Sequence, residues 1–348
     1  MKALFQILIV ATCICIVVYY TNVEPSKTEV LEGPTTITKP VIDLESTQQS
    51  INELPRPTTG ISIYIGKSAS EILDNYGKPV RVDPTEFGYE WWVYENKAGL
   101  FMVGVMNNIV TQIYTNDMSF NTTPYTINES IDDIYRMTIF EQEVTFESDD
   151  NVYLFAMNEE DMKNRILVKY DDVYIQLYID NETNTLYGVR FLDGATLVLH
   201  KSYEMQFFGE LVEANTPSSF AQIEINLANG RILTALTNAF REKFELPKLA
   251  YSNVLTSLAS DNSEQMFLTL METQTTESEK FDVGGELVAL EISYEQLGEN
   301  VAANYKDPIE VLHGWINSKE HRALVLNEDY TLIGSGAYVN NFTQLYMK

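Results

Sequence analysis

Cysteine is absent from this chain after its first 20 residues, where Cys13 and Cys15 are the only two. A body without cysteine excludes internal disulfide bonds, thiolate metal sites and a cysteine nucleophile. Exported proteins that fold without disulfides are typical of Gram-positive bacteria. The absence is therefore compatible with export and favours a Gram-positive source.

Positive charge and histidine are also scarce. The 348 residues include 23 lysines and arginines against 50 acidic residues, a formal net charge of -27, and three histidines. Such an acidic chain repels nucleic acid phosphates, so nucleic-acid binding is not expected. His200 stands alone near a predicted domain edge, which favours either a structural role or a solvated position.

A long apolar run is present only at the N-terminus. Residues 3–20 are largely apolar, with Gln6 as the strongly polar interruption and Thr12 as the other polar residue, and a run of this length just spans a bilayer. Lys2 precedes the run and Glu24 follows it, which keeps the N-terminus in the cytoplasm. Residues 1–22 are therefore predicted to be an uncleaved signal anchor, a single-pass transmembrane helix in the cell membrane with the later domains extracellular. The alternatives are a cleaved signal peptide and lipidation. For both, the sequence lacks the small residues that the processing enzymes need.

Two segments have the composition of linkers. Residues 23–60 are rich in Thr, Pro, Glu and Ser and poor in aromatic residues. Such a segment cannot bury enough apolar surface to fold, so a disordered linker is predicted there. The run Asn215-Thr-Pro-Ser-Ser219 indicates a second linker over residues 206–222.

Residues 61–205 contain a helix-then-sheet pattern twice. A capping box at Ser68 begins the first helix, and the same pattern recurs at Ser130. The first copy continues into strands with a tight hairpin turn at Asn107-Asn108. The second copy continues into a long strand over residues 168–179 and a further strand. This repetition predicts a duplicated helix-plus-antiparallel-sheet domain.

The C-terminal residues 223–348 combine helical and strand patterns. An apolar stripe at helical spacing runs from Ile225 to Phe244, and a second helix follows. Pro308 suits the first turn of a third helix. Two strands over residues 331–347 close the chain, which predicts an α+β domain.

Short motifs in this domain resemble those of the CAP superfamily, which comprises cysteine-rich secretory proteins, antigen 5, pathogenesis-related proteins and bacterial SCP-like relatives. They occur in the family's order: Asn238-x-x-Arg241, Leu246-Pro247-x-Leu249, Leu258-Ala259, Ser263-x-x-Met266, Gly298-Glu299-Asn300, Gly314-Trp315-x-x-Ser318-x-x-His321-Arg322 and Ile333-Gly334-x-Gly336. The resemblance implies an α-β-α sandwich.

Residues 61–205 resemble the CAP-associated N-terminal domain of Bacillus-like bacteria. The matching residues are Gly66-Lys67-Ser68, Gly77-Lys78-Pro79-x-Arg81 and Gly88-Tyr89-Glu90-Trp91. The function of that family is not known, so the resemblance implies architecture alone. The predicted fold class is thus α+β, with a CAP sandwich preceded by the duplicated domain and the N-terminal transmembrane helix.

The resemblance also implies a site, since many CAP domains have a cleft lined by two histidines and acidic residues, and some bind a metal there. Glu299 matches the first acidic position and His321 the second histidine. Asn262 stands where the family has its first histidine, and Ser318 stands at the second acidic position. An amide oxygen is a weaker zinc ligand than imidazole, so no metal cofactor is expected. If zinc were bound, the candidate ligands would be His321 and His313.

These matches favour a membrane-anchored extracellular protein that binds a peptide, a lipid or a cell-envelope component without enzymatic turnover. The predicted binding residues are Glu299, His321, Asn262, Ser318 and Trp315. One alternative is a hydrolase of the cell envelope in which Glu299 and His321 are catalytic, with or without a metal. A scaffold or partner-docking protein that acts in envelope biogenesis or sporulation is a second alternative. A third is that Glu299 and His321 form a buried hydrogen-bonded pair that only supports the fold.

Overall fold

Residues 26–41, 54–96, 99–273 and 281–348 are described by the computed structural model. The predicted signal anchor, residues 1–22, lies outside these ranges, as do residues 23–25 and 42–53 of the predicted linker. Within the described ranges, no helix is both long and apolar enough to cross a membrane.

Strands and helices are numbered along the chain. The strands are β1 Ser26–Lys27, β2 Leu31–Glu32, β3 Thr38–Pro40, β4 Arg81–Pro84, β5 Glu90–Asn96, β6 Gly99–Met106, β7 Ile109–Thr115, β8 Glu143–Ser148, β9 Asn151–Ala156, β10 Arg165–Tyr170, β11 Val173–Asp180, β12 Thr185–Leu192, β13 Glu204–Phe208, β14 Ala250–Tyr251, β15 Leu297–Ala303, β16 Leu332–Tyr338 and β17 Asn341–Met347. The helices are α1 Ala69–Tyr76, α2 Ile131–Met137, α3 Glu159–Asn164, α4 Gly194–His200, α5 Ser219–Lys243, α6 Asn253–Thr273, α7 Val283–Ala289, α8 Pro308–Asn317 and α9 Lys319–Val325.

The N-terminal domain is built on seven antiparallel strands in the order β10-β11-β12-β7-β6-β5-β4. Helices α1 and α2 begin alike, because Ser68 and Ser130 each accept a hydrogen bond from the N–H two residues further on. Each serine also bridges to a hairpin strand, Ser68 to Ile109 in β7 and Ser130 to Thr185 in β12. The two predicted copies therefore make equivalent cap-and-hairpin contacts within one sheet.

One strand prediction in this domain is wrong. The long strand expected over residues 168–179 is two strands, β10 and β11, which pair with each other. Asp171 between them adopts a left-handed φ of 55°, a conformation that aspartate tolerates in turns. Both strands are buried along most of their length, so their sequences are apolar on both sides of Asp171. The pattern of apolar residues therefore did not indicate a turn there.

The C-terminal domain is a sandwich in which a sheet lies between α5 and α6. The strand order is β1-β15-β17-β16-β14, and β2 also pairs with β15. Successive residues of β16 face opposite helices: Ser335 Oγ lies 2.7 Å from Thr234 Oγ1 of α5, whereas Gly336 faces α6. A methyl group on Gly336 would collide with the backbone nitrogen of Ser260, so only glycine permits this packing.

The predicted disordered linker is wrong for residues 26–41 and also near its end, where Leu54 bridges to Tyr170 of β10. Ser26–Gly33, called the strap below, runs parallel to β15 as strands β1 and β2. The following β3 pairs with β13 in a four-stranded sheet, β3-β13-β9-β8. The free edge of β15 offers backbone donors and acceptors that need partners, and a polar segment can satisfy them through its own backbone.

One hydrophobic cluster crosses the boundary between the two domains. Aromatic residues of the N-terminal sheet, including Trp91 and Tyr187, pack in a single cluster with CAP residues such as Phe240 and Leu312. The linker between the domains is shorter than the predicted residues 206–222. Strand β13 extends to Phe208 and α5 begins at Ser219, so residues 209–218 connect the two domains.

Buried ion pairs also cross the domain boundary. Arg190 Nη2 lies 2.6 Å from Asp307 Oδ2. Arg322, from the closing motif, donates to both carboxylate oxygens of Asp180 at 3.0 and 3.1 Å. Together with the shared cluster, these pairs fix the N-terminal sheet against the helices that carry the candidate site.

Candidate binding site

Strand β15 and the corner between α8 and α9 bring the two family motifs together. Ser318 lies between the two helices, as the C-cap of α8 and the N-cap of α9. His321 is therefore in the first turn of α9. The side-chain amide of Asn300 donates to the backbone carbonyl of His321 at 3.1 Å. This contact holds the turn against β15, next to Glu299.

Glu299 has a buried carboxylate with partners on two sides. Its Oε1 accepts a hydrogen bond from Asn262 Nδ2 at 2.7 Å. Its Oε2 lies 3.6 Å from Lys27 Nζ in the strap, and Lys27 also donates to the carbonyl of Phe281 at 2.9 Å. Asn262 therefore positions the carboxylate, which meets a cation supplied by the protein's own strap.

His321 is held by both ring nitrogens. Nε2 lies 3.0 Å from the carbonyl oxygen of Glu29, which can only accept, so Nε2 carries the proton. Nδ1, 2.8 Å from Ser318 Oγ, then accepts from the serine hydroxyl. Burial lowers the pKa of His321 below its ordinary value, although hydrogen bonds with the backbone of Glu29 and Val301 act in the opposite direction. The imidazole is therefore neutral at neutral pH.

Trp315 lies beneath this site, in the core. Its side chain is fully buried, and its indole nitrogen faces the carbonyl oxygen of Val301 at 3.4 Å. The indole and the His321 imidazole are nearly parallel, with ring centroids 6.4 Å apart. Trp315 is thus the buried aromatic ring beside the histidine.

His313 lies elsewhere, in the domain interface. Its ring stacks on Tyr178 at 4.1 Å, and its Nε2 is 3.1 Å from the hydroxyl of Tyr114. His200 is also in the interface, with Nε2 3.1 Å from the hydroxyl of Tyr89. Burial lowers the pKa of both histidines well below the ordinary value. Both residues have structural contacts, so of the two alternatives for His200 the structural one holds and the solvated one is wrong.

The arrangement does not fit a zinc ion. Catalytic zinc usually takes three protein ligands. Here His321 uses both nitrogens in hydrogen bonds, Asn262 turns its amide towards Glu299, and His313 points into the interface. Among the residues that the structure describes, no three His, Cys, Asp or Glu side chains are placed to hold a metal ion.

Sequence reasoning missed the strap residues that complete the site. Thr28 is buried, and both its N–H and its hydroxyl donate to the carbonyl of Glu299, at 3.2 and 3.1 Å. The composition of residues 23–60 concealed this segment. A local signal does exist, because the apolar pair Val30-Leu31 precedes a Gly33-Pro34 stop, as in a short strand.

Comparisons with known proteins agree with this fold. The model of the CAP-associated N-terminal family matches residues 65–203, and that of the cysteine-rich secretory protein family matches residues 234–346. The uncharacterized membrane protein YlbC of Bacillus subtilis (strain 168) is 32% identical over 306 residues, 86% of this chain and 87% of the relative. The chain belongs to the CAP family, in the group that carries a CAP-associated N-terminal domain.

Two solved structures share the architecture. An extracellular protein containing an SCP domain from Bacillus anthracis str. Ames has a TM-score of 0.76 at 28% identity, covering 86% of this chain and 98% of that one. A cysteine-rich secretory protein from Staphylococcus aureus subsp. aureus Mu50 has a TM-score of 0.78 at 24% identity, covering 93% and 99%. The second likeness concerns the fold alone. The resemblance inferred from the motifs is thereby confirmed.

Replacing His321 with glutamine tests whether the buried histidine is neutral in the folded protein. The unfolded chain binds a proton at this histidine below about pH 6.5, whereas the folded chain resists protonation. The stability that His321 contributes is therefore complete above that pH and is lost as the pH falls towards the lowered folded pKa. The advantage of the native chain over His321→Gln should shrink by up to about 1.4 kcal/mol per pH unit below pH 6.5.

Urea unfolding of both proteins at neutral and mildly acidic pH measures this difference. Glutamine is a suitable replacement because its amide N–H can still reach the carbonyl of Glu29. An advantage that stays constant or grows on acidification would contradict a neutral, buried His321.

Proposed function

We propose that this protein binds an extended peptide along β15, in the groove that its own strap occupies. The observation that carries the proposal is the strap itself, which pairs with β15 through its backbone while Lys27 reaches Glu299 and the Glu29 carbonyl reaches His321. Addition of a strand to a sheet edge is a recurrent mode of peptide recognition, in which backbone hydrogen bonds give affinity and side-chain pockets give specificity.

The contacts specify the chemistry of the ligand. Buried Glu299 requires a partner for its charge, so a lysine or arginine is favoured at the place of Lys27. The Nε2–H of His321 meets a backbone carbonyl and therefore recognises an extended main chain whatever the side chain. The expected ligand is a basic residue followed by an extended segment, parallel to β15.

These contacts favour binding over hydrolysis. A general base needs a free lone pair directed at the substrate, but the His321 Nδ1 lone pair is used by Ser318 and Nε2 carries a proton. Glu299 is committed to Asn262 and Lys27. The hydrolase hypothesis gains no support from this geometry.

In the cell, the groove would lie close to a membrane. We infer that residues 1–22 anchor the chain by a single pass and that the domains are extracellular, which is supported by the names of the membrane protein YlbC and the extracellular B. anthracis protein. The strap begins at Ser26, and four residues of extended chain span at most about 14 Å. While the strap occupies the groove, the groove would thus lie near the membrane surface.

The test uses the chain without its first 22 residues and a fluorescent peptide with the strap sequence Ser26–Gly33. An attached strap competes at an effective concentration of about millimolar, so the native protein should bind the peptide weakly. The variant Lys27→Glu places like charge against Glu299 and should release the strap. Fluorescence anisotropy should then show binding at least about tenfold tighter than to the native chain.

The matched control is Lys39→Glu, which makes the same charge change at an exposed residue of β3. It should leave binding weak. A peptide with glutamate in place of its lysine should not bind the Lys27→Glu variant. Equal affinities across the three proteins, or binding that ignores the peptide's lysine, would refute the proposed groove.

A further inference from the structure

A small cavity lies between the two domains, beneath the strap. Arg165 and Tyr178 line it from the N-terminal domain, Glu310 and His313 line it from the CAP domain, and Leu31 of the strap lies at its rim. Its volume is about 130 Å³. An engineered protein cavity of about 150 Å³ holds benzene, so this cavity suits a ligand of similar or slightly smaller size.

Three side chains that line this cavity keep a buried polar atom without a hydrogen-bond partner among the described residues. These atoms are Arg165 Nη1, Glu310 Oε2 and His313 Nδ1. The three residues are 7%, 4% and 4% exposed. A buried polar atom left without a partner costs about 1–3 kcal/mol, so a ligand that pairs with these atoms would remove that cost.

The unpaired atoms define a donor next to an acceptor. Arg165 Nη1 lies 3.3 Å from Glu310 Oε1, an ion pair without the alignment of a hydrogen bond, and the free Oε2 belongs to the same carboxylate. Arginine recognises carboxylates, whereas a free carboxylate oxygen recognises an ammonium group. In an α-amino acid these two charged groups are attached to one carbon atom, which matches donor and acceptor sites this close together.

We propose that the cavity binds a small zwitterionic α-amino acid, with its carboxylate on Arg165 Nη1 and its ammonium group on Glu310 Oε2. The neutral His313 ring can carry its proton on Nδ1 when Tyr114 donates to Nε2, and Nδ1 then donates to the same carboxylate. Glycine and alanine have the appropriate size. The cavity borders the groove along β15, since Leu31 of the strap and Ser318 line it, but the proposal does not depend on peptide binding there.

The surrounding charge favours a ligand with an ammonium group over a simple anion. Besides Glu310, the acidic residues Glu32, Glu160 and Asp161 line the cavity, whereas Arg165 is the one arginine of the lining. Burial raises the pKa of the Glu310 carboxyl group, and a bound ammonium group would oppose this rise.

Isothermal titration of the chain without its first 22 residues tests the proposal, with glycine, L-alanine and D-alanine as ligands. Acetate and methylammonium each supply one of the two charges, and L-tryptophan supplies both but exceeds the cavity. Glycine or alanine should bind saturably and at least about tenfold more tightly than these three compounds. Absence of saturable binding by glycine and both alanines would overturn the proposal.

The variant Glu310→Gln keeps the shape of the side chain and removes its charge, so it should weaken amino-acid binding at least about tenfold. The matched control is Glu86→Gln, which makes the same change at a partly buried glutamate outside the cavity lining and should leave amino-acid binding unchanged. If Glu310→Gln does not fold, thermal unfolding of the native chain in the presence of each ligand tests whether the site exists. Glycine or alanine should raise its unfolding temperature more than acetate or methylammonium at equal concentration, and equal shifts would refute the site.

Discussion

Replacing Arg190 with methionine is expected to lower the free energy of unfolding by about 3–5 kcal/mol, because it leaves a buried carboxylate without its partner. Arg190 is fully buried and pairs with Asp307 across the domain boundary at 2.6 Å. It also donates to Gln112 Oε1 at 2.7 Å and lies over the ring of Trp91. Urea unfolding of the native chain and the variant measures the loss.

Two controls separate the buried charge from the loss of packing. In the double variant Arg190→Met with Asp307→Asn the uncompensated charge is gone, and asparagine can still cap α8 in place of Asp307. Part of the lost stability should therefore return. The exposed pair Arg136–Asp133 is the surface comparison, and Arg136→Met should cost less than about 1 kcal/mol. Similar losses at Arg190 and Arg136 would contradict the role given to the interface.

Replacing Trp315 with alanine is expected to cost about 3–5 kcal/mol and to loosen the candidate site. The indole is fully buried and lies parallel to the His321 ring. Its loss leaves a cavity beneath the histidine, so the hydrogen bond between His321 and the Glu29 carbonyl should weaken as well. Urea unfolding measures the stability, and hydrogen exchange at the Thr28 amide, which donates to Glu299, reports on the strap.

Trp92 provides the matched control, because it is only partly buried and packs against the core of the N-terminal domain. Trp92→Ala should cost less, and it should leave exchange at Thr28 unchanged. Faster exchange in both variants would show that general destabilisation, not support of His321, connects Trp315 with the strap.

The local elements of the fold were predictable where a residue's neighbours in sequence decide its conformation. The caps at Ser68 and Ser130, the Asn107-Asn108 turn and the helix that begins at Pro308 depend on short-range hydrogen bonds and backbone preferences. The turn at Asp171 was missed because buried strands on both sides form one apolar run, and hydrophobic periodicity does not show where such a run reverses.

The motifs were sufficient to name Glu299 and His321 but not to say what they contact. Their partners, Lys27 and Glu29, lie at separations of 272 and 292 residues along the chain. Polar composition indicated that this distant segment lacks a core of its own, but backbone pairing with a sheet edge needs no apolar side chains. Composition therefore could not reveal the strap.

The sequence by itself determined the CAP fold, the absence of cysteine after residue 15 and the identity of the motif residues, because these depend on residue types and their local order. Only the tertiary structure decided that Asn262 orients Glu299, that His313 belongs to the domain interface and that the strap covers the site. These outcomes depend on which distant surfaces meet. Hydrogen bonds and ion pairs formed across such surfaces have no signature in the spacing of residues along the chain.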